Sequence, residues 1–184
     1  MSSTAPVPAI DVRFASPADA SLLLDLKLVL DRETTFMMYE PGERKSDILA
    51  VERDIRRRIE STNSTSIVAA AESEIAGYVE AEGGEFRRNR HSAMVTAGVR
   101  RVYAGQGLGS RLFQALIDWA DGAGVIRLEL TVMTHNVAAA GLYRKFGFLP
   151  EGVRSCSLRV DGKCVDEIAM ARARSGFAET GRKG

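Results

Sequence analysis

Apolar residues recur along the chain at two spacings, and their order predicts a mixed α/β domain. Alternating positions over residues 10–15 predict a strand, and apolar residues at helical spacing after Ser16-Pro17 predict a helix that ends near Thr34. The pattern then predicts a loop from Thr35 to Glu43 and a second helix capped by Ser46-Asp47. Further along, it predicts strands at 66–71, 75–82, 92–99 and 125–132, helices at 107–121 and 136–146, and a hairpin that pairs 153–160 with 163–170.

This order of elements, β-α-α-β-β-β-α-β-α-β-β, predicts one α/β domain (an α+β mixed sheet) over residues 10–170. Residues 1–9 are expected to be a flexible N-terminus and residues 171–184 a flexible tail. A net charge of +1 gives no support for a nucleic-acid or membrane partner. Because no apolar run approaches a bilayer span and the start does not resemble a secretion signal, we expect a cytoplasmic protein.

The two cysteines flank Asp161-Gly162, a strong signal for a two-residue hairpin turn. With that turn, Val160 faces Lys163, Cys156 faces Glu167 and Cys164 faces Arg159. This register puts the two cysteines on opposite faces, so we expect them to be apolar fillers and not a disulfide. No metal site is expected either, since two isolated cysteines lack nearby histidines.

Three glycines at alternate positions, Gly105, Gly107 and Gly109, separate a predicted strand from a predicted helix. We call residues 104–110 the glycine loop. Glycine leaves the backbone uncovered, and the unpaired amides and dipole of the following helix N-terminus favour a phosphate. The loop therefore predicts a pyrophosphate site, although a glycine turn that only packs a helix against a strand remains an alternative.

Two other phosphate-binding motifs fit the glycine loop less well. A dinucleotide-binding loop is favoured by Glu129, which follows the glycines at about the expected 20 residues. However, the spacing is Gly-x-Gly-x-Gly and the chain lacks alternating βαβ units. A nucleotide-hydrolysing P-loop is excluded because no Gly-Lys-Ser/Thr follows.

A second segment, residues 136–148, identifies the phosphate ligand when it is combined with the glycine loop. It carries the pattern Asn-x-x-Ala-x-x-Leu-Tyr-x-x-x-Gly-Phe at Asn136, Ala139, Leu142, Tyr143, Gly147 and Phe148. The two motifs together resemble the GNAT superfamily of acyl-CoA-dependent N-acetyltransferases, most closely the branch that acts on free amino acids and small amines. The resemblance covers about residues 10–170 and implies a twisted, mostly antiparallel central sheet flanked by helices. One departure is Ala104, where the family has Arg or Gln; Arg100 and Arg101 are candidates to compensate.

The resemblance implies acetyl-CoA as co-substrate and no metal. Backbone amides of the glycine loop would hold the pyrophosphate. The backbone of residues 97–99 would pair with the pantetheine arm and polarise the thioester carbonyl. Asn136 would contact the pantetheine or fix its loop. The expected cofactor-binding residues are Ala97, Gly98, Val99, Arg100, Gly105, Gln106, Gly107, Leu108, Gly109, Ser110, Asn136 and Ala139.

For catalysis, the resemblance implies that Tyr143 is the general acid that protonates the departing thiolate. A base for the attacking amine is less determined. Glu80 and Glu82 are candidates, and we place both on the strand face opposite Tyr78; two solvated carboxylates are an equally good interpretation. His91 and His135 are weaker candidates.

The segment between the first two helices often forms a wall of the acceptor pocket in this superfamily. Here it contains Glu33, Phe36 and Met37, which suit a small amino-acid-like amine. The sequence therefore predicts acetyl transfer from acetyl-CoA to a small-molecule primary amine by direct attack. A protein N-terminus or lysine as acceptor, and a non-catalytic acyl-CoA-binding module, remain alternatives. We also expect a homodimer, as is common in the superfamily.

Overall fold

The computed structural model describes residues 10–174, and the mixed α/β sheet predicted from the sequence is confirmed. Its strands and helices also follow the predicted order. Short 3-10 turns occur at Pro17–Asp19 and Arg101–Tyr103. The elements are β1 (Asp11–Phe14), α1 (Ala20–Glu33), α2 (Ile48–Glu60), β2 (Thr65–Ala70), β3 (Ile75–Gly83), β4 (Ser92–Val99), α3 (Leu108–Ala123), β5 (Arg127–Met133), α4 (Val137–Lys145), β6 (Leu149–Val160) and β7 (Lys163–Ala173).

The seven strands form one sheet in the order β1-β2-β3-β4-β5-β7-β6. Every neighbouring pair is antiparallel except β4 and β5, which are parallel. The parallel pairing is short, because it joins Ser92–Met94 only to residues 127–129. Beyond Met94 the two strands separate within the described part of the chain. The second half of β4 therefore presents an unpaired backbone edge in the centre of the sheet.

Helices cover the two faces of the sheet. On one face, α3 packs across β1 to β4, and its Leu112, Phe113 and Leu116 belong to the same buried cluster as Leu130 and Val132 of β5. We call this the α3 face. Burial of these side chains provides the main stabilising free energy for that half of the domain.

On the opposite face, which we call the α1 face, Leu23, Leu26 and Leu30 of α1 pack against Val68 and Tyr78. The packing is closest at Gly98 of β4, where a Cβ atom would lie 2.5 Å from Cδ1 of Leu30. Glycine at this position therefore lets the C-terminal half of α1 lie directly on β4, next to the point where β4 and β5 separate.

The hairpin of β6 and β7 corrects the prediction for the cysteines. The turn is where the sequence placed it, with Val160 opposite Lys163 and Arg159 opposite Cys164. The register then shifts between Arg154 and Leu158, so that Arg154, and not Cys156, faces Glu167. Cys156 adopts a positive φ of 48° within this bulge. It forms a disulfide with Cys164, with 4.7 Å between the two Cα atoms. The prediction that the cysteines stay apart is wrong because it assumed an uninterrupted ladder.

Strand β7 continues to Ala173, three residues into the segment predicted as a tail. The predicted flexible segments at 1–9 and 175–184 lie outside the described residues. Within residues 10–174, no helix has the length and apolar character needed to span a bilayer.

Candidate functional site

The glycine loop adopts a backbone conformation that favours glycine at two positions. Gly105 has a φ of 75° and Gly107 a φ of 78°, both in the left-handed region. Apart from the adjacent residues in the chain, a Cβ atom at either position would have no atom of residues 10–174 within 4 Å. The requirement for glycine is therefore conformational, and the space beside the loop is open to a ligand.

The loop leads directly into α3, for which Gly107 is the N-cap. The N–H of Arg111 donates to the carbonyl oxygen of Gly107 at 3.1 Å, which is the first bond of the helix. The amides of residues 108–110 precede that bond and are the first-turn donors that an α-helix cannot satisfy internally. Together with the positive end of the helix dipole, they could hold a pyrophosphate.

Gly109 has a different role from the other two glycines of the loop. A Cβ atom at Gly109 would lie 3.0 Å from Cδ2 of Leu142. The small residue therefore allows α3 and α4 to pack closely, and this contact joins the two sequence motifs in space.

The arginines expected to compensate for Ala104 have partners elsewhere. Arg100 forms ion pairs with Glu74 and Glu33. Arg101 donates its backbone N–H to Glu33 at 2.9 Å and its guanidinium to the Glu33 carbonyl oxygen. These bonds fix the end of α1 to the start of the glycine loop, so both arginines stabilise the loop from the α1 side.

A cation that the sequence analysis missed lies beside the first turn of α3. The ammonium of Lys145, at the end of α4, donates to the Ser110 hydroxyl oxygen at 3.1 Å. Lys145 could therefore supply the positive charge that Ala104 lacks. No local sequence signal links these residues, because the contact depends on how α4 packs against α3.

The gap between β4 and β5 opens next to the glycine loop. Ala97, Gly98 and Val99 pair with β3 through one edge, and their other edge faces the gap. Unpaired strand edges form hydrogen bonds with extended chains, as an added strand does. The geometry therefore suits the amide-bearing pantetheine arm, as the resemblance implies.

Tyr143 projects from α4 into the α3-face core. Its ring packs 5.1 Å from the ring of Phe113 and 6.1 Å from that of Phe148. Burial raises the pKa of Tyr143 to about 12. The phenol therefore stays protonated at physiological pH, as a proton donor to a thiolate must. Its hydroxyl group has no hydrogen-bond partner within residues 10–174 and is available to a ligand.

Asn136 caps α4, because its side-chain oxygen accepts the N–H of Ala139 at 3.2 Å. Asn136 and Ala139 were both expected to contact the cofactor. In the structure, the bond between them fixes the start of α4. The preceding residue, His135, packs its ring 5.2 Å from that of Phe36. The segment after α1 is thereby held against the loop between β5 and α4.

The structure corrects the predicted orientation of the two candidate bases. Tyr78, Glu80 and Glu82 all lie on the α1 face, opposite Gly98, Thr96 and Met94 of β4. Placing the glutamates on the face opposite Tyr78 was wrong, because residues two apart in a strand share a face.

Both glutamates have cationic partners. Glu80 is buried and accepts two bonds of 2.9 Å from Lys27, whereas Glu82 pairs with Arg57 and Arg58. The hydrogen bond from Arg57 lowers the pKa of Glu82, which weakens it as a base.

A cleft of 540 Å³ lies on the α1 face between three segments that are distant in sequence. Residues 31–41, Met133 at the end of β5, and residues 158–161 of the hairpin form its walls. Glu33 and Met37 line the cleft, in agreement with their expected position, whereas Phe36 packs on His135 instead. The hairpin wall was missed, since no sequence pattern brings residues 158–161 to the end of α1.

The cleft is lined by charges of both signs, and Glu40 and Asp161 are among its acidic side chains. Asp31 is buried and paired with Arg44 through bonds of 2.6 and 2.9 Å, and Glu33 is bound to Arg100 and Arg101. Arg32 and Arg159 also line the cleft. Neither forms an ion pair within the described residues, although Nη2 of Arg159 donates to the carbonyl oxygen of Gly162 at 3.1 Å. These guanidiniums are therefore available to an anionic group, for which their planar donor set is well suited.

Comparison with known proteins agrees with the fold and with the family that the two motifs resemble. Residues 30–148 match the model of the Acetyltransferase (GNAT) family. The chain is 48% identical over 77 residues to the N-alpha-acetyltransferase RimI of Mycobacterium tuberculosis, covering 42% of this chain and 46% of that protein. It is 29% identical over 109 residues to the L-amino acid N-acetyltransferase AaaT of Escherichia coli, covering 59% of this chain and 67% of that protein. The matches thus span about half and two thirds of the two relatives.

A solved structure extends the similarity over almost the whole domain. The crystal structure of a GNAT-family acetyltransferase from Streptococcus pneumoniae has a TM-score of 0.87 and 30% identity. The superposition covers 90% of this chain and all of that one. The family match, the shared fold and the two motifs that α3 and α4 bring together lead to one conclusion: the chain belongs to the GNAT family of acetyltransferases.

Proposed function

We propose that the protein transfers an acetyl group from acetyl-CoA to the primary amine of a free amino acid or a related small amine. The cleft of 540 Å³ between residues 31–41, Met133 and residues 158–161 carries this proposal. Its volume falls within the range of small-molecule sites, about 300–1,000 Å³. The guanidiniums of Arg32 and Arg159, which form no ion pair within the described residues, would bind the carboxylate of an amino acid.

The residues around the gap would then have distinct roles. Acetyl-CoA supplies the thioester, and the amine forms a C–N bond with its carbonyl carbon as the C–S bond breaks. The first turn of α3 and Lys145 would hold the pyrophosphate, and the free edge of β4 would orient the pantetheine arm and polarise the carbonyl. Tyr143 would donate a proton to the departing sulfur.

A protein N-terminus is the second candidate acceptor. The 48% identity to RimI over 77 residues favours it. The two acceptor classes need different sites, because a peptide requires a groove that continues past its first residue. An amino acid needs only a cleft with a carboxylate subsite, and the two arginines fit that requirement.

The acceptor class can be tested by measuring thiol release from acetyl-CoA. The panel would contain L-amino acids, their methyl esters or amides, polyamines and a ribosomal-protein peptide with N-terminal alanine. We expect kcat/KM to be highest for free amino acids and at least tenfold lower for the esters, which lack the carboxylate. Preference for the peptide would identify a protein acetyltransferase. No release with any amine, alongside micromolar binding of acetyl-CoA, would indicate a non-catalytic acyl-CoA-binding module.

The same proposal predicts a role for the hairpin wall. Replacement of Arg159 with Gln should raise KM for amino acids about tenfold, the loss expected for one charged hydrogen bond of roughly 1.5 kcal/mol. KM for acetyl-CoA should not change. Arg172→Gln is the matched control, since Arg172 lies on β7 and does not line the cleft.

We further propose that the protein is a homodimer located in the cytoplasm, as its superfamily resemblance and its composition lead us to expect. Sedimentation equilibrium at micromolar concentration would show twice the chain mass of 20.0 kDa, whereas a single-chain mass would contradict the dimer.

A further inference from the structure

Two buried glutamates lie on either side of the gap between β4 and β5, both on the α1 face. Glu80 of β3 is opposite Thr96 of β4, and Glu167 of β7 is opposite Met133 of β5. They are 7% and 6% exposed. Of these two glutamates, Glu80 was a candidate base from the sequence and Glu167 was not. The surroundings of the two carboxylates differ.

The strand register puts Glu167 level with the expected thioester. The last pair of β4 and β5 joins Met94 to Glu129, so residues 97–99 of β4 are level with residues 132–134. Glu167 of β7 pairs with Met133, and paired Cα atoms of antiparallel strands are about 5 Å apart. Glu167 therefore lies at the same height along the sheet as these residues, one strand beyond the gap. It shares a face with Met133, which lines the acceptor cleft. Tyr143 lies on the opposite, α3 face.

The two glutamates differ in how their charge is compensated. Both carboxylate oxygens of Glu80 accept from Lys27 at 2.9 Å, and Oε1 also accepts from Ser66 at 3.3 Å. Among the described residues, one cation lies within ion-pair distance of Glu167: Arg154 of β6, whose Nη1 is 3.6 Å from Oε2. No hydrogen bond to the Glu167 side chain occurs within residues 10–174.

A buried carboxylate with so little compensation is costly, and a second cation would stabilise it. The neighbouring strands present one apolar and one cationic side chain to Glu167. Met133 faces Glu167 from β5, and Arg154 faces it from β6. Across the cleft, Asp31 and Arg44 neutralise each other. An acceptor could therefore place its ammonium at Glu167 and its carboxylate at the arginines of the cleft.

We propose that Glu167 binds the ammonium group of the acceptor and removes its proton, directly or through one water molecule. This inference rests on the proposed acetyl transfer to a small amine. The N–H proton passes to the Glu167 carboxylate, and the freed electron pair forms the C–N bond. The C–S bond breaks with its electron pair on sulfur, which takes the proton of Tyr143. The nitrogen then loses a second proton, which restores Tyr143, and Glu167 releases its proton to solvent.

The test is the pH dependence of the Glu167→Gln variant, which keeps the volume of the side chain. At pH 7 we expect kcat/KM for the acceptor to fall about 100-fold, within the range for loss of a general base. The deficit should shrink to less than tenfold near pH 10, where free amines are largely neutral. The Kd of acetyl-CoA and the melting temperature should stay near those of the wild type. Glu167→Asp, which keeps the carboxylate, should recover part of the rate at pH 7.

Glu129→Gln is the matched control, because Glu129 lies on the same face of the neighbouring strand and is bonded to Arg127. Its kcat/KM should be within threefold of the wild type at every pH. Equal loss at pH 7 and pH 10 for Glu167→Gln would indicate a structural role and overturn the proposal. So would wild-type activity in that variant, or a pH-dependent loss found only in Glu80→Gln. If the wild type itself acetylates no amine, the proposed function fails first, and the assay distinguishes that outcome.

Discussion

The ammonium of Lys145 lies 3.1 Å from the hydroxyl oxygen of Ser110, so that the end of α4 brings a positive charge to the first turn of α3. Lys145→Met should raise the Kd of acetyl-CoA three- to tenfold by calorimetric titration, because roughly 1 kcal/mol of attraction to the pyrophosphate is lost. The difference in Kd between Lys145→Met and the wild type should become smaller at high salt, where the exposed charge of Lys145 is screened.

Arg144→Met is the control for Lys145. Arg144 precedes it on α4, is exposed, and makes no contact with Ser110. An equal loss of affinity in both variants would show that net charge alone, and not the position of Lys145, determines binding.

Tyr143 provides a prediction about the chemical step. Tyr143→Phe removes only the hydroxyl group and leaves the packing on Phe113 in place. We expect kcat to fall at least tenfold with little change in the Kd of acetyl-CoA. An unchanged kcat would remove Tyr143 from the mechanism.

The pH profile of the wild type tests the same residue. The pKa of Tyr143 is about 12, above its ordinary value of about 10, so the phenol loses its proton only above the usual assay range. Activity should therefore show no decline from tyrosine ionisation as pH rises from 7 to 10. A decline with a midpoint near 10 that disappears in Tyr143→Phe would contradict the burial of this side chain.

The glycine loop yields a pair of substitutions with opposite expected signs. Gly107 has a positive φ, so Gly107→Ala should destabilise the fold by about 1 kcal/mol and weaken acetyl-CoA binding. Gly122 lies within α3 with ordinary helical geometry and open space, so Gly122→Ala should stabilise it by roughly 0.5–1 kcal/mol. Thermal unfolding with and without acetyl-CoA would measure both effects. Unchanged acetyl-CoA affinity in Gly107→Ala would mean that the loop does not hold the pyrophosphate.

Local chemistry was predictable from the sequence wherever a short pattern determines the backbone. The caps, the helical spacing of apolar residues and the Asp161-Gly162 turn all lie where the pattern placed them. The glycine loop and Tyr143 became candidate site residues because each belongs to a contiguous motif. The resemblance also implied that the backbone of residues 97–99 pairs with the pantetheine arm, and the short parallel pairing of β4 with β5 leaves that edge free.

Features that depend on pairing between distant segments could not be predicted in the same way. The contact of Lys145 with Ser110 depends on the packing of α4 on α3. The cleft joins residues 31–41 to the hairpin, and Glu167 lies opposite Met133 only through the register of β5 and β7. The disulfide was missed because a bulge places two extra residues of β6 between the Arg154 and Leu158 pairs. Turn chemistry alone does not reveal such a shift.

The disulfide between Cys156 and Cys164 fixes the part of the hairpin that the ladder does not hold. No paired residue lies between Arg154 and Leu158 on β6, whereas residues 158–160 at the turn are paired and line the cleft. Closing this short loop lowers the conformational entropy of the open hairpin, which favours the paired hairpin by about 2–3 kcal/mol of free energy in the chain-entropy account.

Reduction of the disulfide should therefore raise KM for the acceptor three- to tenfold and leave the Kd of acetyl-CoA unchanged. Steady-state kinetics with and without a phosphine reductant would measure the effect, and hydrogen exchange should speed up mainly over residues 154–165. The Cys156→Ser/Cys164→Ser double variant should match the reduced protein and be insensitive to reductant. Equal KM values for the oxidised, reduced and double-variant proteins would show that the ladder alone fixes the cleft wall.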